Sequence, residues 1–206
     1  MTRPWRIAFA RAAALLALGS AGCSSTTAPT HYHSLLAPPL ASGNVATAVP
    51  APSVRFEVLP VAVPAQVDVP QIVLRLPDGS MALLEHERWI APLGDEIRTV
   101  ITLRVDQALT QDMPARAAVV DRSWRVRLDV QRFDSVLGRA ASVQVHWSLH
   151  AAGGGTALRC QATYEQPVGP GVTSLAEGHR AVFEQLGDVI GQALKAAATG
   201  GTPSCG

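Results

Sequence analysis

Between Trp124 and Tyr164 the chain alternates apolar and polar residues with period two, three times over. Trp124, Val126, Leu128 and Val130 alternate with Arg125, Arg127, Asp129 and Gln131. Val143, Val145, Trp147 and Leu149 alternate with Gln144, His146 and Ser148, and Leu158, Cys160, Ala162 and Tyr164 with Arg159, Gln161 and Thr163. Period two is the repeat of an extended strand with one buried face. Short connections such as AAGGG at 151–155 join the runs, so the segment predicts an antiparallel meander with one side toward the core. Phe133 falls on the opposite parity to Val130, which predicts a bulge or strand end there. A sheet with one apolar face must be covered, and the rest of the chain has to supply the cover.

Two segments with helical period answer that need. Leu93, Ile97, Val100, Ile101 and Ala108 share one face, which predicts a helix from about Ala91 to Leu109 with Pro92 in its first turn. Asp95 and Glu96 lie where the positive end of the helix dipole favours carboxylates. Arg104 falls inside the apolar stripe and reads as a snorkelling stem, in preference to an ion pair at the core's edge or an interface. The second helix carries Leu175, Val182, Phe183, Leu186, Val189, Ile190 and Ala193, with Ser174 and Glu177 as a capping box and the TGG at 199–201 as its stop. Gly187 and Gly191 lie one turn apart, a spacing that permits close backbone approach.

Upstream of the first helix, HYHSLL at 31–36 predicts a strand, followed by a Pro- and Ala-rich connection without period. VRFEVLPVAV from Val54 predicts a second strand and QIVLRL at 71–76 a third, which PDG at 77–79 turns into a hairpin with MALLEHE. The segment from Val63 to Gln71 is bounded by Pro64 and Pro70 and feeds the third strand, with Pro70 at the strand boundary where a missing donor costs least.

The amino terminus reads as an export signal: Arg3 and Arg6, the apolar AAALLAL at 12–18, then GSAGC ending at Cys23. The apolar run is too short to span a bilayer. Cys23, directly after Ser20, Ala21 and Gly22, resembles the cysteine of a bacterial lipobox, which implies lipidation there; the expected organisation is a signal peptide over 1–22, a lipidated tether over 23–30, a single domain over 31–198 and a flexible tail over 199–206. Export implies an oxidising compartment, in which Cys160 and Cys205 are the remaining pair and a disulfide between them would pin the tail to a strand.

Composition supports one globular domain, with 48% hydrophobic and 16% charged residues in 206. The formal charge of +1 includes Arg3, Arg6 and Arg11; 17 basic residues less these three leaves 14 against 16 acidic, a net of −2. That balance is no platform for nucleic acid. No phosphate loop, dinucleotide fingerprint, nucleophile elbow or zinc spacing occurs, so no catalytic residue, metal site or cofactor is expected. His31 with His33, and His146 with His150, each share a strand face without a visible third ligand and read as exposed strand histidines. Ser34, Ser123 and Ser148 are lone hydroxyls, and Glu85 with Glu87 reads as serving the following helix dipole.

In order along the chain, a cysteine after Ser20, Ala21 and Gly22, the HYHSLL strand, VLPVAVPAQVDVPQIVLR and ERWIAPLGDEIRTVITLRVDQAL resemble the ABC-type transport auxiliary lipoproteins, the PqiC-like group. Pro70 to Val73, and Arg88-Trp89 followed by Pro92-Leu93 and Asp95, carry the resemblance most specifically. Where members often carry Asp-Arg-Pro-Gln, this chain reads Asp68, Val69, Pro70, Gln71. Ser20 also stands where a lipobox usually has Leu. The resemblance implies an α/β, three-layer sheet-and-helix domain, here a mixed sheet with an antiparallel meander and two main amphipathic helices.

It further implies a non-enzymatic subunit of an ABC/MCE-type system that moves lipid or other apolar cargo between membranes and supports envelope integrity. Its partners would be MCE-domain or ABC transporter components, with the membrane reached through the N-terminal lipid anchor. Ser24 after the cysteine favours the outer membrane, periplasmic face. Asp68, Pro70, Gln71, Arg88 and Trp89 are the expected contact surface for a transport partner or another copy of the chain, a homo-oligomer. Against this stands the reading that Trp89 caps the core and the proline segment only turns a corner. A scaffold or activator of a cell-wall enzyme is the alternative function.

Overall fold

The computed structural model describes residues 28–37, 54–112, 123–154 and 158–206. The signal, Cys23 and most of the Pro- and Ala-rich connection lie outside them. The elements are β1 (His31–His33), β2 (Arg55–Val58), β3 (Gln71–Arg75), β4 (Met81–Trp89), α1 (Leu93–Asp112), β5 (Ser123–Val136), β6 (Ala140–Ala151), β7 (Leu158–Pro167) and α2 (Val172–Ala198). This is a mixed α/β domain whose strands divide between two sheets, one ordered β1-β4-β3 and the other β2-β5-β6-β7.

The meander forms as its period dictates. β5 and β6 pair antiparallel from Trp124 opposite Ala151 to Val136 opposite Ala140, and β6 pairs with β7 from Ala140 opposite Pro167 to Leu149 opposite Leu158. The register shifts between Val130 and Arg132, and past this bulge Phe133 turns inward and is buried. β2 adds to β5 in parallel and ends at Val58, sooner than its apolar run suggested; Ala62 then makes an isolated bridge to Asp129. Pro60 lies within that gap and Pro64 just beyond the bridge, and a proline contributes no ladder donor. In the smaller sheet β3 and β4 form the expected hairpin, while β1 is a three-residue strand parallel to β4 with His31 opposite Glu87.

The two helices pack on each other, and α2 lies on β6 and β7. Val126, Leu128, Val143, Val145 and Leu149 from the meander, Ile97, Ile101 and Val105 from α1, and Phe183, Leu186, Ile190 and Leu194 from α2 join one core with Ile72, Val73 and Trp89 of the smaller sheet. Gly187 and Gly191 are the contact points between the helices: a Cβ on Gly187 would lie 2.6 Å from Arg104 Cβ, and one on Gly191 2.7 Å from Ala108 Cβ. Only glycine allows this separation.

Three local expectations are corrected. Arg104 is not merely a snorkelling stem: its guanidinium donates from Nη2 to both oxygens of Asp188, at 2.7 and 2.6 Å, joining α1 to α2. No capping box forms, because α2 begins at Val172 with Gly171 at the cap in a φ of 98°. Ser174 Oγ instead accepts the Gly169 N–H at 2.9 Å. Glu96 does more than face a dipole: it is buried and accepts from Ser34 Oγ at 2.7 Å and the Leu35 N–H at 2.8 Å, fastening the chain after β1 to the first turn of α1.

Candidate functional site

The proline-bounded segment folds into a tight turn against the end of β4. The Pro64 carbonyl accepts the N–H groups of Val67 and Asp68, and Val67 is buried as its anchor. Pro70, unable to donate, presents its carbonyl to the Trp89 N–H at 2.8 Å, and the ladder of β3 and β4 shifts register between Gln71 and Ile72. The breakers therefore stand at the lip of the sheet and the branched residues inside it.

A groove of about 410 Å³ results, lined by Tyr32, Asp68, Val69, Pro70, Arg88 and Ile90 with the start of α1 behind them. Asp68 and Pro70 are exposed, Arg88 is half-buried, and Tyr32 and Ile90 are large side chains left 60% and 59% exposed. Ile90 is fixed there because its N–H donates to the His33 carbonyl at 2.9 Å. Apolar side chains this open, beside one acidic and one basic residue, suit a protein contact more than a reaction.

Four of the five expected contact residues, Asp68, Pro70, Arg88 and Trp89, thus come together. They do so unequally. Trp89 is 5% exposed and packs edge-on against Phe133, with ring centroids 6.3 Å apart, so it is a core residue flooring the groove. Gln71 does not line the groove; its amide reaches toward Glu85 Oε2 at 3.4 Å. Tyr32 and Ile90 escaped the sequence reading, although an aromatic residue between two strand histidines and an isoleucine after the Arg-Trp pair were visible signals.

Among the other candidate residues, His31 and His33 both bind one carboxylate, Nδ1 of His31 at 2.9 Å from Glu87 Oε1 and Nε2 of His33 at 2.5 Å from Oε2. Glu87 therefore ties β1 to β4 and does not serve the helix dipole. The two imidazoles, His33 more than His31, hold its carboxyl below the ordinary carboxylate range. Among the described residues no group of three or more His, Cys, Asp or Glu is arranged to hold a metal ion.

His146 and His150 lie on the outer face of β6, where His150 Nε2 is 3.0 Å from Ser148 Oγ. Cys160 and Cys205 stand at bonding distance, with Cα atoms 5.6 Å apart, so the 199–206 segment, expected as a flexible tail, runs back to β7.

A buried polar array had no sequence signal. Asp134 accepts from Arg75 Nε at 2.6 Å and from Arg132, and the adjacent Ser135 Oγ lies 2.8 Å from His179 Nε2. His179 stacks on Phe133 with centroids 3.8 Å apart. Ser135 and His179 are 1% and 0% exposed, so this pair faces no substrate-accessible space. Burial pushes the His179 imidazole down to about 3, against the opposing pull of the Asp134 charge.

By sequence, residues 34–191 match the model of the ABC-type transport auxiliary lipoprotein component. None of the curated proteins matches. A crystal structure of an uncharacterised protein is similar with a TM-score of 0.61 at 14% identity, covering 80% of this chain and 97% of that one. A Xanthomonas campestris protein of the DUF330 family is similar with a TM-score of 0.56 at 18% identity, covering 73% of this chain and 89% of its own. At such identities these structures speak for the fold, and the sequence match for the kinship: the chain belongs to the ABC-type transport auxiliary lipoprotein family.

Proposed function

We propose that the protein is a non-enzymatic, lipid-anchored subunit of an ABC/MCE-type system that carries lipid or another apolar cargo between the two membranes of an envelope, held at the periplasmic face of the outer membrane. The observation that carries this reading is the family match over 34–191, which spans the domain from the end of β1 into α2. Two features support it. Cys23 follows a short apolar run and precedes a small polar tether, and no helix among the described residues is long and apolar enough to cross a membrane, so attachment by acyl chains fits the chain. The groove of Tyr32, Asp68, Arg88 and Ile90 offers a partner an apolar centre with one charge of each sign at its rim.

The test is copurification from native membranes with and without Ile90→Asp. Recovery of an MCE-domain or ABC transporter component with the wild type, and its loss with the variant, is the expected result. Recovery of a cell-wall synthase or hydrolase instead would overturn the reading in favour of a scaffold. Cys23→Ala is expected to release the protein into the periplasm, and continued fractionation with the outer membrane would refute the anchor.

A further inference from the structure

The outer face of the meander holds a second arrangement of side chains that shares no residue with the groove. Arg127 on β5 stands directly opposite Ser148 on β6, and Ser148 directly opposite Arg159 on β7. Residues in register on neighbouring strands point to the same side of a sheet, so two guanidinium groups flank one hydroxyl across three strands, with α-carbons about 10 Å apart. The next row along the strands is Asp129, His146 and Gln161. Together these line a cavity of about 390 Å³.

The charge pattern is selective. In the neighbouring row Arg125 lies 3.8 Å from Glu57, and further along the sheet Arg132 is bonded to Asp134. Arg127 and Arg159, by contrast, make no side-chain ion pair or hydrogen bond among the described residues. His150 Nε2, 3.0 Å from Ser148 Oγ, fixes the hydroxyl between them. Two guanidiniums without side-chain partners, on either side of a hydroxyl in one cavity lining, supply the type of donors that oxyanions take. Asp129 is the one carboxylate in the lining and limits how much negative charge the site accepts.

We propose that Arg127, Ser148 and Arg159 form a binding site for a phosphate-type oxyanion, presented either as free phosphate or as the phosphodiester of an anionic lipid headgroup. The guanidiniums donate to the oxyanion from both sides, the Ser148 hydroxyl donates from below, and His146 and Gln161 close the second row. This inference is independent of the transport reading, because the groove residues take no part in it.

The test uses the periplasmic Cys23→Ala protein, which carries no acyl anchor to insert into vesicles, in phosphate-free buffer without detergent, with two probes. Inorganic phosphate is titrated calorimetrically, and vesicles of phosphatidylglycerol are compared with vesicles of phosphatidylcholine by co-sedimentation. Saturable phosphate binding alone identifies a free-phosphate site, and phosphatidylglycerol binding alone identifies a headgroup site; either supports the proposal if Arg127→Gln and Arg159→Gln each weaken it on the order of tenfold. Asp129→Asn is expected to tighten binding severalfold, while Arg125→Gln, already tied to Glu57, changes it less than about twofold. All four positions are at the surface, and unchanged circular dichroism confirms folding. Binding of neither probe, or equal weakening by Arg125→Gln, overturns the site in favour of diffuse charge.

Discussion

Acidification should act on this fold chiefly through His179. The imidazole is fully buried, stacked on Phe133 and bonded through Nε2 to Ser135, while its Nδ1 has no partner. Burial lowers its pKa from 6.5 to about 3. Between those two values the unfolded chain binds a proton that the native protein refuses, so stability falls as pH falls through that window. The slope approaches one proton's worth of linkage per pH unit, which gives on the order of 3 kcal/mol lost at pH 4.5 relative to neutral pH. His179→Gln keeps a polar group near Ser135 but cannot titrate. Urea unfolding followed by circular dichroism at pH 7.5 and 4.5 should show the variant weaker at pH 7.5, since it forfeits the stack. Its further loss on acidification should be smaller than the wild type's by on the order of those 3 kcal/mol. Equal losses in the two proteins would refute the assignment of the acid sensitivity to this residue.

Three further outcomes follow from the packing. Gly191→Val would drive a Cβ to 2.7 Å from Ala108 Cβ and should destabilise by about 1–3 kcal/mol; an unchanged urea midpoint would show that the helices can part without cost. Cys205→Ser should lower stability by about 2–4 kcal/mol under oxidising conditions, and reductant should abolish the difference from wild type; a wild type indifferent to reductant would mean the bond does not form. Asp188→Ala, breaking a pair whose side chains are 31% and 43% exposed, should cost no more than about 1 kcal/mol by the same assay; a larger loss would make the Arg104 link part of the core.

The groove shows how far a sequence reaches. Pro64, Pro70 and the Arg88-Trp89 pair marked the right neighbourhood because breakers and a large aromatic residue have few places to go in a sheet protein. Which side each residue faces was not legible. Trp89 lies inside and Ile90 outside because of the register of β4 against its hairpin partner β3 and against β1, whose residues lie more than fifty positions upstream. The Ser174 capping box failed for a local reason, since Gly171 offered an earlier start. The Glu87 clamp was hidden because its partners, His31 and His33, are distant in the chain and meet it only through a parallel pairing.

Period and punctuation, carried by near neighbours, thus determined the meander, the two helices, the Phe133 bulge and the mixed α/β class from sequence alone. Tertiary structure alone decided the division into two sheets, the Arg104–Asp188 link, the buried Asp134, Ser135 and His179 array, and the row of Arg127, Ser148 and Arg159. Each of these joins side chains from separate elements, and a linear pattern records the face a residue prefers but not the partner that waits on that face.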